Sequence, residues 1–413
     1  MNKKIPATLL SLFLCFSGTL AFTSCDVSDD VGDNSASSNL GNDSTDTEEQ
    51  TVTDAQGVQY LLRTDGTASV VAFDGETTEL TIPDSIQGCT VTGINEFAFM
   101  GCELITAVTL PDTVTHIGNS AFDTCPSLQS IRLPSGLTAI PKSAFYCCVS
   151  LTEISLGDNV ANIEESAFYS CRSLTHVTIP NGVTNIGSEA FRNCVSLERI
   201  DFPDSVISLG DKAFRNCEKL DNISIPDSVT ELGEEVFLGC TALTNIALGS
   251  GITKLSESLF TLCTSLSELT IPHGVTCIEE KAFSECTALK SVEIPNSVTT
   301  ISNSAFRECE NLESIVIPDS VKTIGNSVFT NCRKLKTLIL SNGVSGIGDY
   351  AFLNCESLAE LIIPQSVTYM GMAVTNGCSN LTIYAETESL PRNWDSEWNL
   401  ANRPVEWGYK QTN

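Results

Sequence analysis

The sequence predicts a solenoid of about thirteen stacked coils, each built from a short parallel strand and a short helical turn. Thirteen of the 18 cysteines recur every 23 residues from Cys102 to Cys378. A phenylalanine keeps the same interval from Phe99 to Phe352, and a leucine keeps it from Leu128 to Leu381. Twelve units of the form C-x-x-L-x-x-I-x-I-P-x-x-V-x-x-I-G-x-x-A-F-x-x fill residues 102–377. Such a period is typical of solenoids and argues against several globular domains.

Each unit carries the signals of one strand and one turn. The L-x-x-I-x-I segment alternates in polarity, so Val108 and Leu110 are expected to point inward from a strand. Proline then ends the pairing, and P-D-S, P-N-G or P-S-G supplies a turn. In A-F-x-x-C, Ala121 and Cys125 stand four apart, which predicts a single helical turn.

One such unit is not expected to fold alone. About eight apolar side chains point inward in each unit, too few to offset the ordering of 23 residues. Stacking solves this, because neighbouring coils share strand hydrogen bonds and a continuous core. Successive strands are then expected to lie about 4.8 Å apart.

The two ends of the repeat array depart from its consensus. Residues 57–63 and 67–73 alternate in polarity around Thr64-Asp65-Gly66, which predicts a hairpin cap. The next repeat carries a five-residue insertion around Gln87 to Val91. At the other end, Trp394, Trp398 and Trp407 predict an aromatic lid over the last coil, with a carbohydrate-stacking site as the alternative.

The first 24 residues have the organisation of a signal peptide. Lys3 and Lys4 precede a short apolar run over residues 9–16, and small residues follow up to Cys25. The segment Ala21-Phe22-Thr23-Ser24-Cys25 resembles a bacterial lipobox, whose cysteine becomes lipid-modified, although Phe22 replaces the usual leucine. Ordinary cleavage nearby, with Cys25 an incidental thiol, is the alternative.

An acidic segment follows Cys25. Residues 26–50 contain no basic side chain and few apolar ones, which predicts a disordered tether. The expected organisation is a signal peptide over 1–24, a lipidated cysteine and tether over 25–56, an N-terminal cap and irregular first repeat over 57–101, the solenoid over 102–381 and a C-terminal cap over 382–413.

The repeat resembles the 23-residue BspA-like leucine-rich repeats of bacterial surface proteins, also associated with Treponema. The consensus L-x-x-I-x-I-P-x-x-V-x-x-I-G-x-x-A-F-x-x-C is matched nearly letter for letter over about residues 80–413. The resemblance implies a right-handed leucine-rich superhelix on a cell surface, and some members are thought to bind host matrix proteins or other cells. It implies no particular binding residue.

The cysteine file is predicted to be a buried packing ladder. In-register neighbours would present parallel Cβ vectors about 4.8 Å apart, which suits neither a disulfide nor the convergent geometry of zinc. Buried free cysteine behaves as a small hydrophobic residue. Cys89, Cys147 and Cys277 stand off this file and are candidates for oxidation or adventitious pairing.

The composition speaks against most catalytic and nucleic-acid functions. A formal net charge of −29 is opposite to what phosphate backbones require. The three histidines occupy different repeat positions, and no nucleophile elbow, phosphate loop or His-Glu-x-x-His motif is present. The sequence therefore predicts no catalytic residue, no metal site and no cofactor.

Two surface groups remain as candidate ligand-binding residues. Val316, Ile339 and Ile362 occupy the outward strand position of three successive coils and predict an exposed apolar stripe. Strand propensity alone is the alternative explanation. In the position after the ladder phenylalanine, successive coils carry residue types that binding hot spots favour, namely Tyr146, Tyr169, Arg192 and Arg215. Chance in a solvated position is the alternative for this second group.

The expected function is recognition at a bacterial surface. We predict a lipid-anchored lipoprotein of the outer membrane whose acidic strand face binds a host-matrix or extracellular protein or a glycan, with membrane contact through the lipid only. An accessory subunit of a surface glycan-processing system and a structural spacer without a ligand are the two alternatives.

Overall fold

The computed structural model describes residues 49–410, and every regular element in that range is a strand. The predicted helical turn is therefore wrong, and the fold is a parallel β-solenoid rather than an α/β one. The short strands of each coil lie on two faces. We name the first of them the strand face and the second the side sheet.

The N-terminal part is a mixed sheet. Its strands are β1 (Gln50–Thr53), β2 (Val58–Leu62), β3 (Thr67–Phe73), β5 (Ser85–Ile86) and β6 (Cys89–Ile94), in the order β1-β2-β3-β6-β5. β2 and β3 form an antiparallel hairpin, and the inserted residues make a second tight hairpin between β5 and β6. In that turn Gln87 and Gly88 both have positive φ.

The tether was expected to reach residue 56, and this boundary is corrected by β1. Residues 50–53 pair antiparallel with β2, and Val52 packs against the core. The physical reason is that three β-branched residues in succession, Thr51 to Thr53, complete the open edge of the hairpin.

The strand face starts at β4 (Glu79–Thr81) and continues with one strand from each later coil. These strands are β7 (Ala107–Thr109), β9 (Ser130–Arg132), β11 (Glu153–Ser155), β13 (His176–Thr178), β15 (Arg199–Asp201), β17 (Asn222–Ser224), β19 (Asn245–Ala247), β21 (Glu268–Leu269), β24 (Ser314–Ile317), β26 (Thr337–Leu340), β28 (Glu360–Ile363), β30 (Thr382–Ala385) and β31 (Val405–Trp407). One further coil, at residues 291–293, joins through isolated bridges. The structure thus has about fifteen turns rather than thirteen, because turns at both ends lack a ladder cysteine.

Successive coils are stacked in phase. Glu153 pairs with His176 and His176 with Arg199, each 23 residues further along the chain, in parallel register. The same step recurs from β7 to β9 and from β24 to β26. The repeat period therefore converts directly into spatial neighbourhood, as the sequence predicted.

A second strand in each coil forms the side sheet, which the repeat pattern had not predicted. Its strands after β6 are β8 (His116–Ile117), β10 (Ala139–Ile140), β12 (Asn162–Ile163), β14 (Asn185–Ile186), β16 (Ser208–Leu209), β18 (Glu231–Leu232), β20 (Lys254–Leu255), β22 (Cys277–Ile278), β23 (Thr300–Ile301), β25 (Thr323–Ile324), β27 (Gly346–Ile347) and β29 (Tyr369–Met370). Threonine hydroxyls support it, for example by donation from Thr299 to the Thr276 carbonyl at 3.2 Å.

The A-F-x-x-C segment cannot be helical because its backbone bonds to the next coil. The N–H groups of Ser120, Phe122 and Thr124 donate to carbonyls of residues 142, 144 and 146 at 2.7–2.9 Å. Ser120 and Thr124 also have φ of 52° and 55°, in the left-handed region that a right-handed helix excludes. Ala121 and Cys125 are thus four residues apart because they lie in two consecutive non-helical turns.

Phenylalanine and cysteine build the core as two parallel files. Rings from Phe99 to Phe352 stack coil on coil with centroid separations of 4.9–6.0 Å. The cysteines from Cys125 to Cys378 are buried and free, as the packing-ladder prediction required. Each of their thiols donates to a phenylalanine carbonyl of the preceding coil; Cys194 Sγ, for example, lies 3.2 Å from the Phe168 oxygen.

The C-terminal end is closed by aromatic side chains. Trp394 and Trp398 are each 5% exposed and meet edge to face at 4.9 Å, and Trp394 Nε1 donates to the Val367 carbonyl at 3.2 Å. Trp407 packs beside them but remains 37% exposed. Two of the three tryptophans thus belong to the core.

Candidate functional site

The strand face is polar along most of its length and becomes apolar near the C-terminal end. Val316 and Ile339 lie opposite each other on β24 and β26, and the two residues are 51% and 49% exposed. Their counterparts in the ten preceding strand-face coils are Thr81, Thr109, Arg132, Ser155, Thr178, Asp201, Ser224, Ala247, Thr270 and Glu293. Most of these residues are polar, so Val316 and Ile339 depart from the polar character of this strand-face position.

The apolar stripe continues beyond the residues that the sequence indicated. Ile362 on β28 is half-buried and pairs with Tyr384 on β30, whose ring lies 4.9 Å from that of Tyr409. The sequence pattern missed Tyr384 because the last step of this file is 22 residues instead of 23. We use "apolar stripe" for Val316, Ile339, Ile362 and Tyr384.

A groove opens beside the stripe where the strand-face ladder is interrupted. It measures about 820 Å³ and is lined by His273, Glu293, Pro295, Val316 and Asp319, among others. Residues 291–293 join their neighbours only through isolated bridges, which leaves this part of the face open. Glu293 and Asp319 make its rim acidic. An apolar ligand surface edged by basic groups would complement this arrangement.

The second candidate group occupies four successive coils, and its first three members stack on one another. The rings of Tyr146 and Tyr169 are parallel, with centroids 4.6 Å apart, and the Arg192 guanidinium lies 5.5 Å from the Tyr169 centroid. Arg192 pairs with Glu189 at 2.6 Å, and Arg215 pairs with Glu235. All four side chains are half-buried.

This stack is largely satisfied by its own partners. One face of Tyr146 and both faces of Tyr169 are covered within the stack, and each arginine has a carboxylate in contact. Such a file ties neighbouring coils together through aromatic and cation–π contacts. Arg192 and Arg215 each keep a buried Nε without a hydrogen-bond partner within residues 49–410, and the half-buried stack offers a ligand less exposed surface than Val316 and Ile339 do.

The charged strand-face positions do not assemble a catalytic constellation. Glu153, His176 and Arg199 are neighbours in register, as their spacing predicted, and the His176 Nε2 contact is to Thr178 at 3.3 Å. Between residues 49 and 410, no cluster of three His, Cys, Asp or Glu side chains could hold a metal ion.

The aspartates after the repeat proline serve neighbouring coils. Asp112 accepts two bonds from Arg132 at 3.0 and 3.1 Å, which lower the pKa of that carboxyl. Asp227 accepts the Ser250 amide proton at 2.7 Å, and this bond lowers its pKa.

Within residues 49–410, the three cysteines outside the ladder are free and half-buried, which places none of them fully in solvent. Burial raises the pKa of the Cys147 and Cys277 thiols, so both favour the unreactive neutral form. The predicted lipidation residue, Cys25, lies outside the described residues. Residues 49–410 contain no helix that is long and apolar enough to cross a membrane.

Comparisons with known proteins place the chain among bacterial repeat proteins. A family model for the BspA type leucine rich repeat region matches residues 72–198, 184–313 and 257–382. The crystal structure of a leucine rich cell surface protein from Faecalibacterium prausnitzii is 33% identical, with a TM-score of 0.58, over 85% of this chain and 97% of that one.

Two further solved structures share the architecture. A leucine-rich repeat protein from Bacteroides ovatus is 29% identical, with a TM-score of 0.52, over 81% of this chain and 99% of that one. The pneumococcal vaccine antigen PcpA is 19% identical, with a TM-score of 0.54, over 86% of this chain and 98% of that one. At this identity the similarity shows the fold alone. No match was found among curated proteins.

Proposed function

Because the chain belongs to the BspA-type leucine-rich repeat family, we propose that it is a cell-surface lipoprotein that binds a protein or glycan of a host or neighbouring cell. The solenoid is the recognition element, and its repeated coils present an extended surface. The relative from Faecalibacterium prausnitzii, itself described as a cell surface protein, supports the location. The lipid would be carried by Cys25.

The apolar stripe is the observation that carries the binding proposal. Val316 and Ile339 are exposed aliphatic side chains stacked on an otherwise polar face, where water contact costs free energy that a partner would recover. The acidic groove beside them favours a protein partner that presents apolar side chains bordered by Lys or Arg.

An array of matrix proteins and glycans tests this proposal, probed with the wild-type chain and with Val316→Glu/Ile339→Glu. A retained partner should lose at least about 100-fold in affinity with the variant, since two central apolar contacts are replaced by charges. Ser155→Glu/Thr178→Glu is the matched control, because this pair occupies the same outward position on β11 and β13. It adds the same charge outside the stripe.

Three outcomes would contradict the proposal. Absence of any saturable binding would favour a structural spacer. Equal loss in both double variants would indicate a general charge effect, and unchanged affinity in the stripe variant would exclude the stripe. Circular dichroism and thermal melts of both variants check that the fold is intact.

Cell fractionation tests the anchor separately. Cys25→Ala should move the protein from the membrane fraction to the soluble fraction, because no acyl chain can then be attached. Continued membrane retention of this variant would refute lipidation at Cys25.

A further inference from the structure

A second groove lies on the strand face, between β15 and β17. It measures about 670 Å³, within the range typical of small-molecule sites. β15 ends one hydrogen-bonded sheet and β17 begins the next, although the two strands are in contact. The coil stack is therefore continuous here while the strand-face ladder is interrupted.

The wall of this groove contains the only aromatic residue at its repeat position. Phe202 stands where the adjacent coils carry Ile179 and Ile225, both of which are buried. Phe202 is half-buried and packs against the core, where its ring meets Phe214 edge to face at 5.5 Å. A half-buried aromatic residue thus lines a groove on a face that is otherwise polar at this point.

The polar groups around Phe202 are mostly hydrogen-bond acceptors, because the carboxylates of Glu198, Asp201, Asp204 and Asp221 line the groove with one guanidinium, that of Arg199. Arg199 uses Nε and Nη2 to bind Asp201 Oδ1 at 3.1 and 3.0 Å, so the two charges largely compensate. Asp204, Ser224 and Asn245 also line the groove, and their side chains have no hydrogen-bond or ion-pair partner within residues 49–410. They offer a carboxylate, a hydroxyl and an amide to a ligand.

We propose that this groove binds a neutral oligosaccharide. Each sugar hydroxyl both donates and accepts, which suits a mixed set of carboxylate, amide, hydroxyl and guanidinium groups, and the apolar face of a sugar ring suits Phe202. The four carboxylates repel an anionic ligand, and a cationic ligand is the alternative that a lysine oligomer tests. The proposal goes beyond the apolar stripe, which lies on β24 to β30.

A panel of neutral gluco-, xylo-, manno- and galacto-oligosaccharides, followed by calorimetric titration of the full chain, tests this site. At least one member is expected to bind saturably. Phe202→Leu should weaken that binding at least about tenfold, because the aromatic stacking surface is lost. The melting temperature of the Phe202→Leu variant should stay near that of the wild type, since leucine occupies the same repeat position in other coils, for example Leu133 and Leu156.

Ile225→Leu is the matched control, because it changes a buried neighbour in the same file without touching an aromatic surface. It should leave the affinity unchanged. Asn245→Ala should weaken binding through the lost amide contacts and confirm the polar half of the site. The stripe variant Val316→Glu/Ile339→Glu should bind the oligosaccharide normally, which separates this site from the proposed protein-binding surface.

The proposal is overturned by any of three results. No neutral oligosaccharide binds, or Phe202→Leu binds as tightly as wild type, or the groove takes a lysine oligomer or a sulfated glycan in preference to every neutral one.

Discussion

Raising the pH should unfold this protein unusually steeply, because its core contains a file of neutral thiols. Burial raises the pKa of ten ladder cysteines, for example that of Cys240 to about 12. The ten are Cys148, Cys171, Cys194, Cys217, Cys240, Cys263, Cys286, Cys309, Cys332 and Cys355. In the unfolded chain the same thiols titrate near their ordinary pKa of about 8.5.

The direction of the effect follows from which state holds the protons. A pKa that is raised in the folded state gives stability that is complete below about pH 8.5 and declines above it, until the folded thiols themselves ionise. By about pH 9.5 each thiol whose folded pKa lies well above that pH contributes a loss of about 1.4 kcal/mol, so the nine other than Cys148 contribute about 13 kcal/mol. This equals the whole stability of an ordinary domain.

Urea unfolding followed by circular dichroism, in the presence of a reductant, measures this loss. The midpoint should fall sharply between about pH 8 and about pH 9.5, which lies below the ordinary pKa values of tyrosine and lysine. The triple variant Cys217→Ala/Cys240→Ala/Cys263→Ala should lose about 4 kcal/mol less over the same interval, because three titrating groups are removed. A flat midpoint in the wild-type chain, or an identical slope in the triple variant, would refute the reasoning.

Three further predictions concern packing, backbone and charge. Phe283→Ala, which removes a ring stacked at 5.5 and 5.1 Å on its two neighbours, should cost about 3–5 kcal/mol in urea unfolding, and a cost below about 1 kcal/mol would contradict a continuous core. Gly343→Ala should destabilise the protein by about 1–3 kcal/mol, since its Cβ would lie 1.8 Å from a backbone oxygen of the preceding coil. Gly136→Ala, at the same repeat position, is the control, because its Cβ would meet nothing closer than 3.5 Å and stability should change little. Equal melting temperatures of the two variants would disprove this prediction. Arg132→Gln should raise the pKa of Asp112 toward its ordinary value in an NMR titration, and an unmoved pKa would show that the guanidinium is not its cause.

The stacking of coils could be predicted from the sequence because one period governs every core position. Thirteen cysteines in phase leave no other way to bury them, and the parallel register follows. The conformation of the A-F-x-x-C segment could not be predicted. The i, i+4 spacing of Ala121 and Cys125 imitates a helix, while the left-handed residues that exclude one, such as Ser120 and Thr124, are not glycines.

The candidate surfaces were predictable only in part, for a related reason. Counting in steps of 23 finds Val316 and Ile339, but it passes over Tyr384, where the chain is one residue shorter. The groove at Phe202 forms where the hydrogen bonds between β15 and β17 are interrupted, and no residue type in the sequence indicates that interruption.

The thiol-to-carbonyl bonds of the cysteine file also bear on survival in an oxidising environment. Disulfide exchange needs a thiolate that can reach a second sulfur, and these sulfurs are protonated, shielded from solvent and held to phenylalanine oxygens. A protein so rich in cysteine can therefore remain uncrosslinked once folded. The thiols are vulnerable before the coils stack, so oxidants present while the chain folds would compete with folding itself.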